Sequence, residues 1–145
     1  MANKIKLTNE EMRQIALFES ITGATVKDCV IDTKNNRLIF VVKEGDLKKA
    51  VGRRGSNVKL LKKMTGRDVE VVEYADNPID FVKNTLAPAR VREVRIADRS
   101  DGRRIAFVVV EPRDKGVAIG RGGRTAERAR HLAKRYFQID NVVIS

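Results

Sequence analysis

Two short stretches of the chain read Gly52-Arg53-Arg54-Gly55 and Gly120-Arg121-Gly122-Gly123, and their first glycines lie 68 residues apart. Each stretch follows a small and an aliphatic residue, Ala50-Val51 in one case and Ala118-Ile119 in the other, and each precedes a basic segment with helical periodicity. A Gly-x-x-Gly turn lets the backbone come close to another chain, because glycine has no Cβ. Basic residues beside such a turn indicate that the approaching chain carries phosphates.

The positive charge of the chain is concentrated around these two stretches. The 145 residues include 30 Lys and Arg and 19 Asp and Glu, which gives a formal net charge of +11. Residues 46–63 carry a net charge of +6, residues 113–135 carry another +6, and the rest of the chain is therefore at −1. Two focused basic segments are typical of a surface that binds a polyanion.

The elements around the two stretches repeat. The first copy is predicted as a helix after Thr8, strands over 26–31 and 37–43, helices over 46–51 and 56–65, and a strand over 69–73. The second copy is predicted as a helix after Asn77, strands over 92–97 and 104–110, helices over 114–119 and 124–137, and a strand over 141–144. The chain thus reads α-β-β-α-α-β twice, with only residues 74–76 between the copies.

This repeat predicts an α+β fold of two domains. The first domain would span residues 1–74 and the second residues 77–145, and each would hold a three-stranded antiparallel or mixed sheet covered by helices on one face. Because the connection is so short, we expect the two domains to pack as one rigid unit.

The helix-first order resembles type II KH domains, in which a Gly-x-x-Gly loop between two helices binds about four nucleotides of a single strand. The pair Ala50-Val51-Gly52-Arg53-Arg54-Gly55-Ser56-Asn57 and Ala118-Ile119-Gly120-Arg121-Gly122-Gly123-Arg124 is similar to the NusA family of transcription factors, above all to its short archaeal-type members. The resemblance covers residues 8–145. It implies two tandem type II KH domains, single-stranded RNA and the transcription machinery as partners, and a role in transcription termination or antitermination.

An RNA-binding surface is therefore expected around both loops. The predicted RNA-binding residues are Lys48, Lys49, Gly52, Arg53, Arg54, Gly55, Lys59 and Lys62 in the first domain, and Gly120, Arg121, Gly122, Gly123, Arg124 and Arg128 in the second. The aliphatic walls of the two grooves are predicted at Val51, Val58, Leu61, Ile119, Ala126 and Ala129. Neither basic segment contains an aromatic residue, which argues against a sheet that stacks bases as an RRM does.

Two other binding functions fit part of the pattern. Type II KH folds also occur in the ribosome, so a structural RNA-binding protein of the ribosome is one alternative. Duplex DNA binding by helix-turn-helix units is another, although the two strands before each turn and the strand after it count against that reading.

The sequence contains no catalytic signature, so we expect no enzymatic activity, no cofactor and no metal. His131 is the single histidine and has no acid or serine at catalytic spacing, and the second loop lacks the Gly-Lys-Ser/Thr ending of a nucleotide-binding P-loop. Cys29 is the single cysteine and is predicted to pack as a small apolar group. The longest apolar run, residues 105–110, is too short to cross a bilayer. We expect a cytoplasmic monomer with no membrane association.

Overall fold

The computed structural model describes residues 5–145, so the predicted start of the first domain at residue 1 lies outside the described residues. The chain divides into two compact units, of which the first ends at Tyr74 and the second begins at Ala75. Each unit contains three helices and three strands in the same order.

The first unit consists of α1 (Asn9–Thr22), β1 (Val26–Asp32), β2 (Arg37–Val42), α2 (Leu47–Val51), α3 (Ser56–Thr65) and β3 (Asp68–Glu73). The second unit consists of α4 (Pro78–Thr85), β4 (Val91–Asp98), β5 (Arg104–Val110), α5 (Lys115–Ile119), α6 (Arg124–Phe137) and β6 (Asn141–Ile144). A single turn of 3-10 helix over the glycine loop separates α2 from α3 and α5 from α6. The predicted α-β-β-α-α-β order is confirmed in both units.

Each unit has a mixed three-stranded sheet. In the first sheet the central strand β2 pairs antiparallel with β1 and parallel with β3, and in the second β5 pairs in the same way with β4 and β6. The parallel pairing requires a crossover connection, because the chain must return to the end of the sheet where the preceding strand began. The two helices and the loop between them form that crossover, which places each glycine loop at a fixed position beside its sheet.

Local signals in the sequence set the ends of the first helix of each unit. Thr8 Oγ1 accepts a hydrogen bond from the Glu11 amide at 3.1 Å, and the Thr8 amide donates to Glu11 Oε1 at 2.7 Å, so the predicted capping box is formed. α1 then ends at Gly23, which adopts a left-handed conformation with φ of 72°. At α4, Asn77 caps the helix through the Asp80 amide, ahead of Pro78 in the first turn.

The helices cover one face of each sheet and enclose a separate core. In the first unit the rings of Phe18 and Phe40 stack with centroids 4.2 Å apart, beside buried Leu38 and Val42. Smaller residues build the core of the second unit, where Ala106, Val108, Ala129 and Ala133 pack with other aliphatic groups. Cys29 is buried in the first core, as predicted, and this burial raises the pKa of its thiol to about 12.

The first helix is placed differently in the two units. The 14-residue α1 lies mainly against β1, whereas the eight-residue α4 lies against α6 as well as β4. Phe81 of α4 contacts the rings of Tyr136 and Phe137, with centroids 5.2 and 5.4 Å away. The helix after the glycine loop therefore packs against the first helix of its unit more extensively in the second unit than in the first.

Among residues 5–145, no helix is both long and apolar enough to cross a membrane.

Candidate nucleic-acid interface

The two glycine loops have nearly the same backbone conformation. Gly52 and Gly120 lie at φ, ψ of 80°, 170° and 81°, 169°, a region that essentially only glycine occupies. Each loop is closed by a hydrogen bond of 3.1 Å from the amide of its fourth residue to the carbonyl of its first, Gly55 to Gly52 and Gly123 to Gly120. The loops are thus fixed, equivalent turns in the two units.

The first glycine of each loop packs against the helix that follows. A Cβ on Gly52 would lie 2.7 Å from Ser56 Oγ and 2.9 Å from the Asn57 side chain. A Cβ on Gly120 would lie 2.5 Å from Thr125 Oγ1 and 2.8 Å from the Thr125 backbone nitrogen. The side on which Gly52 and Gly120 lack a Cβ therefore faces their own helix rather than an approaching chain.

The later glycines of each loop face open space. No described atom lies within 4 Å of a Cβ built on Gly122 or Gly123, and the nearest atom to one built on Gly55 is Lys59 Cε at 4.0 Å. A second chain can therefore approach the backbone at Gly55 of the first loop and at Gly122 and Gly123 of the second, where no Cβ blocks it.

The helices α3 and α6 begin directly after the fourth loop residue, and their first amides, those of Ser56 and Arg124, donate to the Arg53 and Arg121 carbonyls. Gly55 and Gly123 occupy the N-cap positions, and neither helix receives a side-chain capping hydrogen bond from any described residue. Amides at an uncapped helix start carry partial positive charge and bind phosphate readily.

Exposed cations surround the first loop. Lys48 and Lys49 lie in the helix before it, Arg53 and Arg54 lie in the loop itself, and all four side chains are exposed. A surface cavity of about 510 Å³ adjoins the loop and is lined by Leu47, Lys48, Val51, Gly52 and Arg53. Lys59 and Lys62 are exposed on α3, and Lys62 Nζ lies 3.0 Å from an Asp68 carboxylate oxygen.

The second loop carries less charge. Arg121 is exposed, Gly122 replaces the second loop arginine, and Arg124 is half-buried at the start of α6. Phosphate binding at this loop would therefore depend more on backbone amides than it would at the first loop.

Arg128 is buried, which contradicts its predicted contact with RNA. Its side chain is 7% exposed, its Nε and Nη2 donate to the Thr85 carbonyl at 3.0 and 2.8 Å, and Nη2 also donates to the Ala87 carbonyl at 2.9 Å. Arg128 therefore caps the carbonyl end of α4 and holds that helix against α6.

The predicted groove walls divide into core and surface residues. Leu61, Ala126 and Ala129 are buried and serve as core, which contradicts their predicted place in the walls of a groove. Val51 and Val58 are half-buried and Ile119 is exposed, so an accessible aliphatic residue remains next to each loop.

An aspartate that precedes each loop was missed as a positioning residue. Asp46 Oδ2 accepts from the Thr25 amide and Asp114 Oδ2 accepts from the Arg90 amide, both at 2.8 Å. These bonds tie the start of the helix before the loop to the start of the first strand. Hydrogen bonds from Arg90 also lower the pKa of Asp114. The matching position of the two acids, each six residues before its first glycine, is the signal that could have revealed them.

The single histidine of the chain stands apart from the loops. His131 is exposed on α6 in a cavity of about 440 Å³, lined also by Arg130, Lys134, Arg135 and Asp140. Within residues 5–145, no three His, Cys, Asp or Glu side chains are grouped so that they could hold a metal ion.

Comparison with known proteins agrees with this architecture. Residues 12–83 match the KH domain family, and residues 78–143 match the NusA-like second KH domain. A probable transcription termination protein NusA from Halococcus morrhuae is 39% identical over 98% of this chain and 99% of its own length. The chain belongs to the NusA family.

Other NusA proteins are also similar to this chain, but the matched region covers a smaller share of their length. The probable transcription termination protein NusA of Methanocaldococcus jannaschii is 33% identical over 97% of this chain and 75% of its own. The transcription termination/antitermination protein NusA of Mycobacterium bovis is 34% identical over 57% of this chain, which corresponds to 23% of that longer protein. The crystal structure of APE1850 superposes with a TM-score of 0.82 at 40% identity, over 96% of this chain and 100% of that one.

Proposed function

We propose that this chain binds single-stranded RNA through both glycine loops and acts in transcription termination or antitermination. The matching pair of loops carries the proposal, since each combines an open glycine backbone, an uncapped helix start and at least one exposed arginine. The names of the related NusA proteins support the place in transcription. The proposed role is binding alone, by a monomer with one RNA site in residues 1–74 and another in residues 77–145.

The chemistry of binding follows from the loop geometry. A phosphate approaches the open side at Gly55 of the first loop or at Gly122 and Gly123 of the second, where the partial positive charge of the following helix start attracts it. Arg53, Arg54 and Arg121 add charge-assisted contacts, while the bases lie along the aliphatic residues beside each loop. With about four nucleotides per domain, the pair would hold about eight. The logarithm of the affinity should fall with the logarithm of the salt concentration, with a slope of about −0.7 for each phosphate neutralised.

The two sites should differ in how they hold RNA. The first has two loop arginines and the neighbouring Lys48 and Lys49, whereas the second has Arg121 and an extra glycine. We therefore assign the larger share of the salt-dependent affinity to the first loop.

The deciding experiment separates the loops by charge reversal. RNA selected from a random pool on the wild-type chain is titrated against Arg53→Asp with Arg54→Asp, and separately against Arg121→Asp with Gly122→Asp. We expect both double variants to lose at least about tenfold in affinity, with the greater loss for the first. Wild-type affinity in both folded variants would overturn the proposal.

A matched control tests whether the effect is only one of net charge. Arg99 and Arg103 are exposed in the turn between β4 and β5, so Arg99→Asp with Arg103→Asp changes the charge as much as the first variant does. This control should retain most of the affinity.

Competition distinguishes the alternatives. Duplex DNA that displaces the selected RNA at equal concentration would favour the DNA-binding reading. Association with ribosomal subunits rather than with transcription complexes would favour the ribosomal one.

A further inference from the structure

One helix face of the first unit exposes apolar side chains at positions whose counterparts in the second unit are buried. Leu60 and Arg128 each lie eight residues after the first glycine of their loop, and Met64 and Leu132 each lie twelve residues after it. In α6 the two residues are 7% and 0% exposed, whereas in α3 they are 44% and 52% exposed. Because the loops share one conformation, these positions occupy the same face of the equivalent helix.

In the second unit α4 covers the part of this face that holds Arg128. α4 lies across α6, and its last carbonyls accept the hydrogen bonds of Arg128. In the first unit α1 lies mainly over β1 instead and leaves Leu60 and Met64 open to solvent. The second unit therefore packs a helix on this face, whereas the first unit leaves the same face of α3 uncovered.

The charges beside the open face restrict what could occupy it. Lys59 and Lys63 form the adjacent row of α3 and are exposed, and neither makes an ion pair with any described residue. A second copy of this chain would bring the same lysines together, which opposes self-association through this face. A nucleic-acid backbone would match the lysines but offers no apolar surface to Leu60 and Met64.

We propose that the open face of α3, formed by Leu60 and Met64 and flanked by Lys59 and Lys63, docks an acidic amphipathic helix of a partner protein. The partner helix would set an apolar stripe on Leu60 and Met64 and would place carboxylates against the two lysines. This contact goes beyond RNA binding, and it shares Lys59 with the predicted RNA surface beside Gly55.

A defined peptide tests the proposal. The probe is a fluorescein-labelled synthetic helix with leucines at helical spacing and glutamates at the remaining positions, measured by fluorescence anisotropy against the full chain. We expect saturable binding with a Kd of about 10–100 µM, which corresponds to about −5 to −7 kcal/mol. A peptide of the same composition in scrambled order, which forms no apolar stripe, should bind at least about tenfold more weakly. Absence of saturable binding by the amphipathic peptide would overturn the proposal.

Variants assign the contact to this face. Leu60→Ser with Met64→Ser should weaken peptide binding at least about tenfold, and Lys63→Glu should also weaken it. Ile79→Ser with Val109→Ser removes two apolar side chains of similar exposure from the second unit and should leave peptide binding unchanged. Equal binding of the peptide by the Leu60 and Met64 variant would contradict the assignment.

Two further measurements test whether RNA or a second copy of the chain occupies this face instead. RNA affinity of the Leu60→Ser, Met64→Ser variant should stay within about twofold of wild type, and a loss as large as that of the peptide would assign the face to RNA. Sedimentation of the wild-type chain should show no dimer that the same variant abolishes, and such a dimer would assign the face to a second copy. Either result would overturn the proposal. Charge reversal in the glycine loops should lower RNA affinity without changing peptide binding, so failure of the RNA proposal remains distinguishable from failure of this one.

Discussion

Arg54 and Gly122 share one backbone conformation at the third position of their loops, with φ, ψ of 55°, 32° and 61°, 19°. This is the left-handed region, where a residue with a Cβ costs about 1–2 kcal/mol. The first loop thus retains an arginine where glycine would be less strained, and such strain is typical of functional sites.

Replacing that arginine should separate stability from binding. Arg54→Gly relieves the strain but increases the freedom of the unfolded chain, so we expect the free energy of unfolding to rise by no more than about 0.5 kcal/mol. RNA affinity should fall, and the magnitude of the salt slope should decrease by about 0.7, because one phosphate contact is lost. Urea unfolding and salt-dependent anisotropy measure the two effects. Arg54→Lys should keep the salt slope, and an unchanged slope in Arg54→Gly would remove Arg54 from the RNA site.

Alanine at the first and fourth glycines should affect different properties. Gly120→Ala combines an unfavourable backbone region with a contact of 2.8 Å to the Thr125 nitrogen, so we expect it to destabilise the second unit by about 3 kcal/mol or more. Gly123→Ala meets no described atom within 4 Å and should cost only about 1 kcal/mol, yet it should weaken RNA binding. Denaturation monitored by circular dichroism measures the free energy of unfolding of both variants. A Gly123 variant that is less stable than the Gly120 variant would contradict the prediction.

Gly52→Ala provides the matched comparison in the first unit. Its Cβ would meet the Ser56 and Asn57 side chains rather than backbone, and side chains can move aside. We therefore expect a smaller loss of stability for Gly52→Ala than for Gly120→Ala.

Arg128 should prove structural. Arg128→Gln leaves the carbonyls of Thr85 and Ala87 without their charged donor, which we expect to cost about 2–4 kcal/mol of stability. Arg128→Lys should rescue only part of this loss, because lysine lacks the planar fork that serves both carbonyls. Thermal unfolding measures the cost. RNA affinity at a temperature where the variant remains folded should match wild type, whereas the exposed control Arg121→Gln should bind RNA more weakly.

Asp32 should make the stability of the first unit depend on acid pH. Its carboxylate accepts from the buried Arg37 at 2.7 Å, and although burial opposes the change, hydrogen bonds from Asn35 and Arg37 lower its pKa to about 2. Because the folded pKa lies below the unfolded one, the stabilisation is present above about pH 4 and is lost as the pH falls towards 2.

The corresponding variant is Asp32→Asn. At pH 7 it should be less stable than wild type by about 1–2 kcal/mol after solvent screening, and the difference should shrink between pH 4 and pH 2. Urea unfolding at a series of pH values measures it. Asp98→Asn alters the equivalent pair with Arg104, but the Asp98 side chain is 74% exposed, so its effect should be smaller. A difference for Asp32→Asn that is constant across this range would contradict the prediction.

Local patterns in the sequence were sufficient for the elements of this fold. The predicted ranges of Ser56–Thr65, Arg104–Val110, Arg124–Phe137 and Asn141–Ile144 agree with the structure residue for residue. The boundaries of these elements depend on residues close to them in sequence. Glycines begin or end the helices, and runs of β-branched residues form the strands, so a local pattern is enough to predict both.

Contacts between distant residues were not predictable in this way. Its position in the basic segment after the second loop predicted an RNA contact for Arg128, but the carbonyls that bury Arg128 lie 43 and 41 residues away in sequence. Periodicity reports which side of a helix is apolar and does not report whether a second helix lies across the polar side. For the same reason the hydrogen bonds of Asp46 and Asp114 were not predicted. Leu61 and Ala129 were predicted to line a groove, although they lie in the core.

The packing of Gly52 and Gly120 against their own helices also affects how related sequences can be interpreted. A domain of this type that has lost its RNA would still require the first glycine, because selection for folding alone excludes a Cβ there. The third and fourth positions have no such steric constraint, and they could drift to asparagine or aspartate, which tolerate the left-handed conformation. Persistence of the first glycine during evolution therefore records the fold, whereas charge and openness at the later positions record whether the domain still binds a nucleic acid.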